Sequence, residues 1–180
     1  MAVLASRSTR LLESVSFGVI QNIDDMDINQ QIQMLVQQAP QYGASSREVE
    51  AIAPALVTVA DRLKHPEYYV LQTLDQNWVM TVLNHPTESE VTKNILSVFP
   101  TLEDAKTSAR EFDNAHVIAV PIPVIQILFQ MLAMEPLDSI IFFEQPREFN
   151  TGVEVTRAAL LELVQISLQT VPSRMPTDIA

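Results

Sequence analysis

The stretch that decides the fold is Ile95-Leu-Ser-Val-Phe-Pro-Thr-Leu-Glu-Asp-Ala-Lys-Thr-Ser-Ala-Arg-Glu-Phe112. Its first five residues are mostly bulky and apolar, as a strand requires. Pro100 follows that run, and Thr101 with Asp104 then has the form of a helix cap carrying a negative charge in the first turn. Leu102, Ala105, Ala109 and Phe112 recur at helical spacing, so one side of the helix is apolar. A strand feeding directly into a capped amphipathic helix is the unit from which helix-covered sheets are built.

The same alternation extends outward. Upstream, residues 68–74 and 78–83 are aromatic and β-branched, and Asp75-Gln-Asn77 between them predicts a hairpin. Trp78, Met80 and Val82 share one face of the second strand, and Val79, Thr81 and Leu83 the other. Downstream, residues 116–120 read as a short strand. The stiff Pro121-Ile-Pro123 link then feeds a helix from 124 to about 135. Ile125, Leu128, Phe129 and Leu132 lie on one side of that helix, and Ile127, Met131 and Met134 widen its apolar arc. Residues 139–143 form a strand of the buried type, 144–152 a polar loop, and a last helix begins at Val155 or Thr156. The order from residue 67 is β-β-β-α-β-α-β-α. It predicts an α+β fold, a mixed sheet covered by helices.

An N-terminal helical extension precedes this unit. Asp27 with Gln30 and Ser45 with Glu48 have capping-box spacing. Ile28, Ile32, Leu35 and Val36 follow the first cap; Val49, Ile52, Leu56, Val59 and Leu63 follow the second. Pro54 predicts a kink or a second helix start, and His65-Pro66 closes the element. Leu11, Leu12 and Val15 fit a further short helix ending near Gly18. The expected division is a helical arm over 1–65, an α/β domain over 66–171 and a loose tail over 172–180.

Composition removes several classes of function. The 180 residues are 47% hydrophobic, enough for a sizeable core. The net charge of -11 is concentrated after residue 65, where fifteen acids face six bases. Such a surface repels phosphate backbones and anionic lipid, so nucleic acid is not an expected partner. No apolar run reaches the length of an integral membrane span. The chain has no cysteine, which removes disulfides, thiolate catalysis and Cys-ligated metals and suits a cytoplasmic, reducing location.

No catalytic, metal or cofactor pattern stands out. His65, His85 and His116 lack zinc-site spacing. Asp25, Asp27 and Asn29 imitate the start of a calcium loop, but Gln30 and Val36 stand where glycine and glutamate are needed. The pairs Glu103–Asp104 and Glu88–Glu90 fall where solvated surface is expected. Gly18, Gly43 and Gly152 are too far apart to cradle a phosphate. What remains is an apolar excess in 124–134 and 140–143. The plain reading is a strand and its covering helix. The functional reading leaves part of it open to another protein or a second copy of the chain. Phe129, Met131, Met134, Phe142 and Phe143 are the candidate contacts. Arg147 is the polar candidate, either paired with Glu144 or Glu148 or recognising a partner's carboxylate.

In running order the chain resembles the N-terminal domain of the SseB-type family. The resemblance rests on Tyr69-Val-Leu-Gln-Thr-Leu with Trp78-Val-Met-Thr-Val-Leu, then Val98-Phe-Pro-Thr-Leu-Glu-Asp-Ala105, Val120-Pro-Ile-Pro-Val124 and Leu137-Asp-Ser-Ile-Ile-Phe-Phe143. It covers roughly half the chain. Phe143-Glu-Gln-Pro146 departs from the Asn-Pro pair and glycines common in that family, and residues 1–65 have no counterpart. The resemblance implies an α/β domain with a non-enzymatic role, in some members as a secretion chaperone or adaptor, and carries no catalytic residues. The leading expectation is therefore a protein-binding adaptor, chaperone or assembly factor. A small-molecule module or minor enzyme using Trp78, Tyr69 and Arg147 beside His85 or His116, and a structural homodimer, are the alternatives.

Overall fold

The computed structural model describes residues 2–4, 26–84, 92–112 and 116–170. The short helix expected around Leu11–Val15, Asp25, His85, the Glu88–Glu90 pair and the tail over 172–180 lie outside the described residues. The strands are β1 (Ala2–Leu4), β2 (Glu67–Thr73), β3 (Val79–Asn84), β4 (Thr92–Phe99), β5 (Val117–Pro123), β6 (Ser139–Phe143) and β7 (Gly152–Thr156). The helices are α1 (Ile28–Gln38), α2 (Ser46–Ala60), α3 (Leu102–Ala109), α4 (Val124–Ala133) and α5 (Arg157–Thr170). Together they make the expected architecture, one mixed sheet flanked by helices with helices at its N-terminal side.

Local chemistry sets the helix starts. The Gln30 N–H donates to Asp27 Oδ1 at 2.8 Å while the Asp27 N–H donates to Gln30 Oε1 at 3.0 Å. Ser45 and Glu48 make the same reciprocal pair ahead of α2, and the Ser45 donors hold the Glu48 carboxyl below its usual range. α2 runs unbroken through Pro54 rather than restarting there. Helix α4 is different, because Pro123 before it offers no side-chain cap. Its first-turn Ile125 N–H instead donates to Gln31 Oε1 of α1 at 3.1 Å, and Gln31 Nε2 donates to the Pro66 carbonyl at 2.9 Å. One glutamine side chain thus satisfies one of the free N–H groups that every helix start presents.

The sheet has two apolar faces. Tyr68, Val70, Trp78, Met80, Leu96, Val98, Ile140 and Phe142 point to a main core completed by α1, α2, α4 and α5. Leu35, Val49 and Leu56 enter that same core, so α1 and α2 pack on the sheet. The wide apolar arc of α4 follows from its position: α1, α2 and α5 all contact it, and Ile125, Ile127, Leu128 and Met131 are buried. The opposite face carries Leu71, Val79 and Phe99 beneath the single short helix α3.

Strand pairing departs from the predicted hairpin. Strand β6 lies parallel along one edge of β4 and carries β7 antiparallel on its far side. The other edge of β4 is shared. Tyr69 and Val70 of β2 pair with Phe99 and Val98, whereas Met80 to Asn84 of β3 pair with Leu96 back to Thr92. Both stretches paired to β4 run antiparallel to it, and the chain between Val70 and Met80 leaves that edge and doubles back on itself. Only an isolated Gln72–Trp78 bridge joins them. Beyond Val70, β2 continues against β5 to Thr73 opposite Val117, then turns and returns as β3. The sheet therefore forks beside Ser97. β7 is a second departure: Gly152–Thr156 is a strand where loop and helix start were expected, and α5 begins at Arg157.

Candidate functional site

The fork leaves a gap in the sheet surface that α3 bridges incompletely. Leu71 and Val79 stand on its two branches, with Thr81, Ser97 and Phe99 between and beside them. Thr107, Ser108, Glu111 and Phe112 close it from α3 and the turn that follows, and Phe143 and Phe149 complete the wall. The result is an open hollow of about 200 Å³. Phe99 and Phe143 are stacked with centroids 5.5 Å apart, and Phe149 meets them edge-on at 6.1 and 5.7 Å. These are the arrangements that ring quadrupoles favour. Phe149 nevertheless keeps 41% of its surface exposed.

Two buried carboxylates hold the 144–151 loop that carries Phe149. Glu144, 9% exposed, accepts the Tyr68 hydroxyl at 2.6 Å and the Lys64 N–H at 2.9 Å. Its carbonyl oxygen lies 3.0 Å from His65 Nε2. Asp104, 3% exposed, accepts the Thr101 hydroxyl at 2.5 Å with one oxygen and the Arg147 N–H at 3.0 Å with the other. Asp104, read as the first-turn charge beside the Thr101 cap of α3, is thus also a tether for the loop. Arg147 has a positive φ of 64°, a region that L residues enter at a cost of roughly 1–2 kcal/mol. At the far end Gly152 is required by close approach: a Cβ there would lie 2.7 Å from Ile141 Cγ2 and 3.1 Å from the Phe142 carbonyl oxygen.

Burial raises the Tyr68 hydroxyl pKa, and its bond to the Glu144 carboxylate raises it further. A group raised on folding contributes stability that is complete below its unfolded pKa, near 10 for tyrosine, and lost as pH rises above it. Urea unfolding between pH 8 and 11 is therefore expected to show stability falling above about pH 10. The fall should be shallower in Tyr68→Phe, whatever that variant costs at neutral pH. Equal slopes would mean that Tyr68 is not the titrating group.

The six residues singled out in the sequence do not form one surface. Met131 and Phe142 are enclosed in the main core. Phe129 and Met134 are half-buried against it, and Phe129 meets Tyr42 edge-on at 5.6 Å. Phe143 lies on the opposite face, in the wall of the hollow, and Arg147 is exposed on the adjoining loop. Of the proposed small-molecule set, Trp78 is in the main core, Tyr69 packs beside the hollow and His116 is exposed at the start of β5. Phe99, Phe112 and Phe149 are the aromatic wall residues that sequence reasoning did not single out. The one available signal was Phe149, an isolated aromatic in a polar run.

Chemically the hollow offers aromatic surface, four hydroxyls and one carboxylate. Among the described residues no histidine lines it. Among the described residues no three His, Asp or Glu side chains are placed to hold a metal ion, and no helix is long and apolar enough to cross a membrane. The fold and site define a mixed-sheet α/β protein with an aromatic hollow at a forked strand edge. No protein-family model matches the chain, and no curated protein sequence matches it significantly.

Proposed function

We propose that this protein is a non-enzymatic adaptor that seats an apolar side chain of a partner protein in the hollow beneath α3. The observation that carries this reading is Phe149, a large aromatic ring left 41% exposed over a stacked Phe99–Phe143 pair. Binding energy in protein interfaces concentrates in a few side chains, aromatic ones among them, that become desolvated in well-packed pockets on association. Size supports a side chain over a drug-sized ligand: about 200 Å³ lies below the 300–1,000 Å³ range typical of small-molecule sites. The resemblance to SseB-type domains points the same way, toward a binding role. Phe143 belongs to this surface, whereas Phe129, Met131, Met134 and Phe142 serve the opposite core.

The test is selection of displayed random peptides on the immobilised full chain, followed by titration of the selected peptides. They should share one large apolar residue. Phe149→Ala should weaken them at least tenfold, a loss of about 1.4 kcal/mol or more. Phe129→Ala, on the other face, should leave affinity unchanged. Selected peptides that bind Phe149→Ala as well as the parent chain would place the interaction elsewhere.

A further inference from the structure

We propose that Arg147 reads a carboxylate on the partner, positioned beside the apolar side chain held in the hollow; this rests on the adaptor reading above. Two fates for Arg147 follow from its neighbours in sequence, an ion pair within Glu144-Gln-Pro-Arg-Glu148 or a contact outside the chain. The first is absent from the structure. Glu144 turns inward to Tyr68 and Lys64. The single ion pair among the described residues joins Lys93 and Glu154. Arg147 is exposed, and its one hydrogen bond among them is made by its backbone N–H, not its guanidinium.

The backbone argues in the same direction. Gln76 also has a positive φ, in the turn after β2, so a left-handed residue alone is not distinctive. At 147, however, the conformation is imposed from outside the loop, by the buried Asp104 carboxylate gripping the N–H. Glycine would occupy this position without strain. The arginine side chain adds no internal bond to offset that strain, and strain maintained without internal return is a pointer to function.

Placement and charge then give the ligand class. Arg147 lies two residues before Phe149 on the same exposed loop, a backbone span of at most about 7 Å, so a segment that covers Phe149 passes within reach of the arginine side chain. Glu111, the carboxylate of the hollow, stands beyond the opposite end of α3. Glu111 belongs to the turn after α3, whereas the Arg147 backbone is held at the first turn by Asp104. The overall charge of -11 opposes an anion on approach, while the exposed Arg147 is the one cation of the 144–151 loop and gives an anion a local partner there. A guanidinium takes a carboxylate through two parallel hydrogen bonds, which gives direction as well as attraction. The occupant is a protein segment with one large apolar residue flanked by Asp or Glu.

The experiment uses the full chain and two peptide series with one central Phe or Leu, flanked by Asp or Glu in one series and by Asn or Gln in the other. The acidic series should bind at least tenfold more tightly, with a preference that shrinks as salt rises. Arg147→Gln should abolish the preference. Arg147→Gly should abolish it too while melting no lower than the parent, since its backbone strain is relieved. Phe149→Ala should weaken both series. If both bind the parent chain equally and depend on Phe149, the hollow stands and the Arg147 assignment falls. Binding of neither series overturns both.

Discussion

Phe142→Ala is expected to cost about 3–5 kcal/mol, the range for deleting a fully buried aromatic ring. Phe142 is 0% exposed on β6, between β4 and β7, and meets Tyr68 edge-on at 5.0 Å. Strands on both sides fix the backbone, so the cavity left behind cannot collapse, and the lost contacts add to the lost transfer energy. For a chain of this size that corresponds to a melting temperature lower by roughly 10 °C. Phe143→Ala, one residue on, removes a half-buried ring from the other face. It should cost less stability and more peptide affinity. Urea unfolding and peptide titration of the two variants separate core from contact surface. A Phe142→Ala variant of near-parental stability that had lost binding would reverse the assignment of the faces.

Gln31→Leu is expected to cost about 2–3 kcal/mol, although it makes a buried position more apolar. A buried N–H without a partner costs roughly 1–3 kcal/mol, and the tie from α1 to α4 is lost with it. Gln31 is 3% exposed, and leucine cannot accept the Ile125 N–H. The Pro66 carbonyl fares better, because the Val124 N–H also donates to it at 2.8 Å. Amide exchange should accelerate first at Ile125, at the start of α4, and the unfolding midpoint should fall. Unchanged stability would show that water replaces the glutamine there.

Much of this architecture was legible residue by residue. Asp27, Ser45 and Thr101 cap helices because their side-chain oxygens lie three residues from the N–H groups they accept, a relation written entirely in local sequence. The alternation in Trp78-Val-Met-Thr81 assigned the faces of β3, since side chains of a strand point to opposite sides in turn. β7 was missed because a five-residue edge strand running straight into a helix takes its identity from its partner β6. The predicted hairpin is present only at its tip, where the Thr73 N–H donates to the Asn77 carbonyl and Gln72 bridges Trp78 antiparallel; aromatic and β-branched runs show that two strands exist, not that both will claim the edge of β4.

The candidate site was less legible. Phe143 and Arg147 are legible as the end of an apolar strand and a cation in a polar loop, but Phe99 and Phe112 read as ordinary strand and helix residues. The apolar richness of 124–134 left open whether part of it was spare surface, because the three helices that cover it are distant in sequence. Sequence alone determined most element types, the local caps of α1, α2 and α3, the acidic character and the lack of cysteine chemistry. Tertiary structure decided the fork at Ser97, the hollow it opens, the remote cap from Gln31 and the double duty of Asp104. Each of these joins residues separated by tens of positions, and such contacts depend on which loops close and in what register, which no local periodicity encodes.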